Sequence, residues 1–423
     1  MQERQEVIPY VERILRNLLI ARPGFLVIDN VDQIDDEGRQ NDIFSEAQAA
    51  AQRIGMNVIM SLRESTFLRH RNSPVFDAFQ FDSIYIDPPN VLPVLSRRFS
   101  YAKQVLANKP AELMLESGIR LKVPDVSIFF DIVAQSILAE DAGFMIERLS
   151  GGDVRRGLSL VREFLSSGHT TADRALKAYI DDGRYHFPAH EIFKGAVLGK
   201  RKFYREEESL LPNLYCSKLG VEGVLLLRFH IVHRLVTLAA NPGFEGLAAS
   251  EITDQLHRVG VPAADVNAVL QTLFHARVIS TTDGLPLSDK SVVIPTRLAG
   301  YLALVLGTSF HYVEMCLIDS YIYNDETWKT IGESTRQIEA ESDQLAGIMM
   351  RIDRVRIFLK YLSMIEEKWI VECKRRDLES SWGKQILATT VSQSIEKDFE
   401  KVITSAKRMA SRHAEKSKPP LKL

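Results

Sequence analysis

Hydrophobic and polar positions divide the chain into a short alternating start and a long helical remainder. Val7, Val11, Ile14, Leu15 and Leu18 fall along one side of a charged opening segment and predict an amphipathic helix. Arg22-Pro23-Gly24 breaks that pattern, and Phe25-Leu26-Val27-Ile28 follows as a continuous apolar run of the kind that forms a buried parallel strand. An Ala-rich helix is predicted over residues 43–54, a second buried strand over 57–62 (NVIMSL) and a third over 83–86 (SIYI), stopped by Asp87-Pro88-Pro89. Alternation of strand, helix and strand implies a parallel α/β sheet.

Beyond residue 91 the periodicity is almost all helical. Segments 92–106, 128–138, 144–149 and 154–165 are the clearest, separated by Pro124, Gly143 and Gly151-Gly152. Three more helices are expected over 225–240, 249–259 and 263–276, then a hairpin from Val278-Ile279-Ser280 through Asp283-Gly284 to Val292-Val293-Ile294. Farther on, Leu345, Ile348, Ile352, Val355, Leu359 and Leu362 form one stripe. Leu387, Val391, Ile395, Phe399, Val402 and Ala406 form another, with Ser380, Ser381 and Gly383 between. An antiparallel helical pair packed within the chain is expected ahead of a coiled-coil dimer seam. The fold class expected is mainly α, with an incomplete α/β parallel-sheet core at the N-terminus. Its parts are that core (1–90), a helical segment (91–215), the three helices with their hairpin (216–310), and a C-terminal helical domain with a basic tail (311–423).

Composition narrows the classes. Length 423, 45% hydrophobic and 26% charged residues describe a globular chain of two or three domains and exclude general disorder. Fifty-three Lys and Arg against 55 Asp and Glu leave a net charge of −2, so nucleic-acid contact would need a local patch. Cys216, Cys316 and Cys373 are scattered, with neither zinc spacing nor a bridge framework, which suits a reducing compartment. No apolar stretch reaches the roughly 20 residues of a membrane span, and the opening helix lacks a signal peptide's apolar block. A cytoplasmic setting without membrane contact is expected.

Candidate chemistry begins at Asp29. A carboxylate directly after a buried parallel strand sits where ligands collect in open α/β sheets, and Asp32 is close by. The pair is suited to hydrated Mg²⁺ with phosphate oxygens. The next strand ends Ser61-Leu62-Arg63-Glu64, placing an arginine where it could sense a terminal phosphate. Gly151-Gly152-Asp153-Val154-Arg155 opens a later helix with arginine in its first turn.

In this order the features resemble the core of an AAA+ or STAND P-loop NTPase, and the Asp-x-x-Asp form is closer to the STAND and KAP branches. The resemblance covers residues 10–300. It implies that Asp29 is the Walker B aspartate and ligates Mg²⁺ with Asp32, that Arg63 is the sensor-1 residue, and that Arg155 is the sensor-2 arginine of a helical lid over 91–215. It also implies that ATP and Mg²⁺ are the cofactors of the complete protein. Residues 216–310 resemble a winged helix, the module that often follows such a lid.

Several positions depart from the family. The Arg-Phe-Asp that often precedes the last core strand reads Gln80-Phe81-Asp82, and Arg69 and Arg71 are expected in a solvated loop. Asn30 replaces the water-activating glutamate, leaving Asp32 as the candidate for orienting water. No G-x-x-x-x-G-K-[ST] occurs; Gly195–Arg201 is one residue short and lacks the hydroxyl. Only 24 residues precede Phe25, so the expectation is a chain that begins after the phosphate loop. Such a chain would bind ATP weakly or not at all and act as an ATPase only if that segment were supplied. The strand lost with it would lie between 57–62 and 83–86, leaving both edges bare unless another polypeptide completes the sheet.

Nucleic acid is a weaker expectation. The third helix of the winged-helix-like segment carries Asn267, Gln271 and His275, yet residues 247–290 hold three basic residues against five acidic ones. The tail 401–423 has seven Lys or Arg against Glu415, a second and salt-sensitive candidate contact. His230, His233, His257 and His275 lack the carboxylate or cysteine neighbours of a metal site and are expected as core or partly exposed side chains. The leading reading is therefore the downstream part of a regulatory NTPase switch with a protein partner or self-association. The alternative is a non-enzymatic winged-helix interaction or DNA-binding regulatory protein.

Overall fold

Pro23-Gly24 ends the opening helix Gln2–Leu19 and releases the chain into β1 (Phe25–Ile28). In the computed structural model, described for residues 2–34, 36–71, 73–78, 81–87, 89–107, 111–114, 120–123, 127–168, 175, 179 and 185–416, the chain is mainly helical. It forms two compact units: Met1–Ile86 with Thr281–Pro286, and Asp87–Ser280 with Leu287–Leu423.

In the first unit β1 pairs in parallel with β2 (Asn57–Met60), Phe25 opposite Asn57 and Ile28 opposite Met60. The crossover is the helix Glu37–Ile54, which starts earlier than its apolar periodicity because Asp36 caps it by accepting from the Arg39 N–H at 3.1 Å. This helix buries Phe44, Ala47 and Ala51, and Phe44 meets the edges of the His70 and Phe76 rings. The sheet is not covered on both sides. Phe25, Val27 and Ile59 are 58%, 62% and 48% exposed, where a parallel sheet ordinarily buries both faces.

The third expected strand is absent. Residues 83–86 pair with no strand among the described residues, and Ile84 and Ile86 are 86% and 83% exposed. A strand is defined by its ladder, and among the described residues this segment forms none. Arg69 is also corrected: it lies in the helix Glu64–His70, not a loop, and pairs with Glu37 at 3.4 Å, while Arg71 caps that helix.

In the second unit, the helices Val91–Leu106, Ser127–Ile137, Glu140–Ser150, Val154–Ser166 and Ala189–Leu198 share one continuous core with everything that follows, from Val91 to Phe399. One element here departs from the all-helical expectation, an antiparallel pair Ala111–Met114 with Arg120–Val123. Residues 227–295 fold as helices Leu227–Ala239, Ala249–Arg258 and Ala263–His275 with a three-stranded sheet. Its central strand is Val292–Pro295, flanked by Leu247–Ala248 and Ile279–Thr281. The C-terminal pair is the helix Gln344–Arg375 against Ser392–Lys416, the latter entered through a π-turn at Leu387–Val391. Ile352, Val355, Phe358, Ile395 and Phe399 are buried, and Arg356 joins Glu396 at 2.7 Å. The buried Glu366 carboxylate accepts from the Ile386 and Leu387 N–H groups at 2.9 and 3.1 Å, capping the start of that turn. The last residues of the basic tail, 417–423, lie outside the described residues.

Candidate functional site

β1 delivers the chain to Asp29, and the direction taken next depends on Asn30. At φ 63° Asn30 is left-handed, a conformation asparagine tolerates better than most residues. Its backbone N–H donates to Asp29 Oδ1 at 2.9 Å and its side-chain amide to Asp29 Oδ2 at 3.3 Å. Gln33 Nε2 donates in turn to Asn30 Oδ1 at 3.1 Å. The reversal leads into a single helical turn, Val31–Gln33, that buries Val31 and anchors the loop from below.

That turn directs Asp32 to the end of the neighbouring strand. Ser61 N–H donates to the Ile28 carbonyl at 3.0 Å, extending the ladder one step past β2. Arg63, two residues later, caps the helix Glu64–His70, and its Nε meets Asp32 Oδ2 at 2.6 Å. The Asp32 side chain is 9% exposed and that of Arg63 is 66% exposed. A pair with one partner so open to water contributes about 1 kcal/mol at most, so its consequence is geometric. It holds a guanidinium against the one turn that carries both Asp29 and Asp32, at the same end of one parallel strand pair.

Three expected site residues, Asp29, Asp32 and Arg63, therefore lie in one unit at adjoining strand ends, with Arg63 and Asp32 in direct contact. The fourth, Arg155, belongs to the second unit and is exposed in the first turn of Val154–Ser166. Its neighbour Arg156, which the sequence did not single out, is the arginine that is engaged. Arg156 donates to the Ala276 carbonyl at 3.3 Å and to the Leu210 carbonyl. Burial lowers its pKa to about 10, helped by the Arg277 charge. Asp153 caps the same helix through the Arg156 N–H and pairs with Arg277. Burial pushes the Asp153 carboxyl up, but the Arg277 and backbone hydrogen bonds more than offset it and leave it below the ordinary value. This corner fixes the helix start to the turn after Ala263–His275.

Alongside the Asp32–Arg63 pair runs an open groove of about 950 Å³. β2 and the residues after it, from Val58 to Arg63, form one wall, Phe81 to Ile86 form another, and Phe44 and Phe67 contribute to its lining. No group of three or more His, Cys, Asp or Glu side chains suited to a metal occurs among the described residues.

Two candidates of the third helix, Asn267 and Gln271, have internal partners. Asn267 accepts from Thr253 Oγ1 at 3.1 Å, and Gln271 donates to the Leu287 carbonyl at 3.1 Å. His230 lies flat on Trp369 with ring centroids 4.8 Å apart, and His233 lies against Phe229 at 4.3 Å. Burial lowers the pKa of His230 to about 3 and that of His233 to about 4, so both are neutral core rings. Gly195 of the rejected phosphate-loop candidate lies within the helix Ala189–Leu198.

No family model, curated protein or solved structure matches the chain. Among the described residues no single helix is long and apolar enough to cross a membrane. The one bent pair that passes by composition, Arg297–Thr308 with Phe310–Ile318, turns by 92° and buries Leu298, Leu302, Phe310 and Val313.

Proposed function

We propose that the chain serves in a nucleotide-responsive switch of the AAA+ or STAND type. In this reading Asp29 and Asp32 serve Mg²⁺, Arg63 the terminal phosphate and Arg155 a lid. The observation that carries it is the 2.6 Å contact of Arg63 with Asp32 across two parallel strand ends, beside Asp29. Without nucleotide each charge neutralises the other. A Mg²⁺–triphosphate offers Asp32 a stronger cation and Arg63 a stronger anion, so its arrival would exchange one pair for two. The loop Asp29–Gln33 and the helix Glu64–His70, which carry the two partners, are the elements that exchange would move. The three helices and three-stranded sheet over 227–295 support the winged-helix part of the reading, here as a packed module of the second unit.

A non-enzymatic scaffold is the second reading. It is favoured by the exposure of Asp29, whose carboxylate oxygens are both engaged by Asn30.

Titration of residues 1–423 with ATP, using Mn²⁺ to broaden the phosphorus resonances of bound nucleotide, separates the two. The switch reading expects metal-dependent binding on the order of millimolar, about −4 kcal/mol, because no phosphate loop contributes. Asp29→Asn and Arg63→Ala should each weaken it at least tenfold. Affinity unchanged by both substitutions leaves the scaffold reading, and micromolar affinity in the wild-type chain contradicts the absence of a phosphate grip.

A further inference from the structure

In the second unit the helices Ala189–Leu198, Phe310–Ile318 and Gln344–Arg375 bring together a cluster of cations that the nucleotide reading does not use. His190 and Lys194 lie one turn apart on the first helix, His311 and Glu314 one turn apart on the second, and Arg351 on the third. The His190 and His311 rings stack with centroids 5.0 Å apart and planes at 15°. Arg351 lies over the Phe310 ring at 5.5 Å and donates through Nε and Nη2 to Glu314, the first at 2.7 Å. Glu314 also accepts from Arg354 at 3.0 Å, and Asp398 accepts from the Phe310 N–H at 2.7 Å, so both carboxylates are already engaged. Glu191 acts on Lys194 only through its charge. Among the described residues, neither imidazole, nor the Lys194 ammonium, nor Arg351 Nη1 has a hydrogen bond or ion pair. Elsewhere in this unit partly buried cations meet carboxylates, as Arg228 meets Glu206 and Lys218 meets Asp319 at 2.8 Å. Here like charges crowd one another instead. Burial lowers the pKa of His311 to about 4, and the His190, Arg351 and Lys194 charges outweigh the opposing pull of Glu314. Burial, then Arg351 and Lys194, lower His190 as well, and burial with Arg351 lowers Lys194. A cluster that disfavours its own cations gains most from an anion.

From this we infer that His190, Lys194, His311 and Arg351 form a binding site for a phosphate dianion, free or carried by a phosphomonoester, lying across the edges of the two stacked rings. Hydrogen bonds of about 2.8 Å to two oxygens of one phosphate are long enough to bridge the ring separation. Donors arriving from three helices suit a tetrahedral group, whereas a carboxylate presents two oxygens in one plane. A metal ion is the wrong sign for Lys194 and Arg351, and no group of three metal-suited side chains occurs among the described residues. The anion favours each imidazole as a cation, so its binding takes up protons and strengthens as the pH falls through the imidazole range. The site needs no divalent metal and is independent of the nucleotide reading.

The test uses the full chain with its histidine rings labelled with ¹⁵N, and follows their titration by nuclear magnetic resonance. Sulfate, a dianion that does not titrate in this range, is the probe, and chloride at equal ionic strength is the control. Sulfate is expected to bind saturably and to raise the pKa of both His190 and His311 by about one unit, which is about tenfold tighter binding for each proton taken up. Inorganic phosphate and phenyl phosphate should both displace sulfate, and the tighter of the two tells the free ion from the ester. Lys194 is exposed, so Lys194→Ala should keep the fold, as circular dichroism would show, and weaken sulfate about fivefold. Lys194→Arg should restore most of that loss. Asp29→Asn and removal of divalent metal should leave sulfate binding unchanged, which separates this site from the nucleotide site. The inference is overturned if chloride produces the same shifts or if neither ring responds to sulfate. It is equally overturned if the two phosphates fail to compete, or if Lys194→Ala binds sulfate as the wild type does.

Discussion

The two units solve the same problem with different completeness. In the second, Tyr215, Phe229, Phe310, Phe358 and Phe399 are wholly buried, and several of its internal charges meet partners. Glu314, for example, binds Arg351 and also Arg354, the latter at 3.0 Å. In the first, a well-formed strand–helix–strand crossover covers only one side of its sheet and leaves Phe25, Val27, Ile59 and Ile84 to water. Both use the same local rules of capping, periodicity and turn chemistry. Local rules alone therefore do not close a core. Among the described residues, the first unit has the elements of a parallel sheet but not the neighbours that sheet requires.

Substitutions should expose that difference, most strongly in the second unit. Phe358→Ala is expected to lose about 3–5 kcal/mol in denaturant unfolding, because a wholly buried ring leaves a cavity. Glu314→Ala strands Arg351 and the buried Arg354 without their anion and should cost about 3 kcal/mol, with Glu314→Gln losing less. Equal costs for Phe358→Ala and for Val27→Thr on the open sheet face would erase the contrast.

Acid should act through His230 and His233. Their folded pKa values, about 3 and about 4, lie below the ordinary 6.5, so the unfolded chain binds protons first. The contribution is complete above pH 6.5 and is lost as the pH falls toward the folded values, at about 1.4 kcal/mol per pH unit for each ring. His230→Phe keeps an aromatic surface against Trp369. Its stability should fall less steeply than wild type between pH 6 and 4, by about that slope, and parallel curves would remove His230 as the cause.

The smallest effects belong to the first unit. Asp32→Asn breaks a pair whose arginine is 66% exposed and should change stability by no more than about 1 kcal/mol. Val27→Thr, on the uncovered face, should stay within about 0.5 kcal/mol, as checked by urea midpoints.

Much of this was legible in the residues, for identifiable reasons. Phe25–Ile28 and Asn57–Met60 are continuous apolar runs between strong breakers, and both are strands. The stripes Ile352–Val355–Leu359 and Val391–Ile395–Phe399 keep helical spacing and pack within the chain. The segment 83–86 has the same β-branched and aromatic character, yet strand formation depends on a partner that its own letters cannot supply. The strand Leu247–Ala248 is two residues long and carries no periodicity at all. The positions of Asp29, Asp32 and Arg63 at strand ends were legible in the residues, whereas the contact between Asp32 and Arg63 depends on the left-handed turn at Asn30. Arg156 was passed over for Arg155 because a one-residue shift on a helix changes the face and hence the partner.

The central claim is that the first unit presents an open strand edge beside its charged site while the second unit is closed. Amide hydrogen exchange of the purified chain tests it most directly. Val58 and Met60 should exchange orders of magnitude faster than Val355 and Leu359 of the buried helix, with Ile59, bonded to β1, in between. Protection of Val58 and Met60 equal to that of Leu359 in the isolated chain would contradict the account.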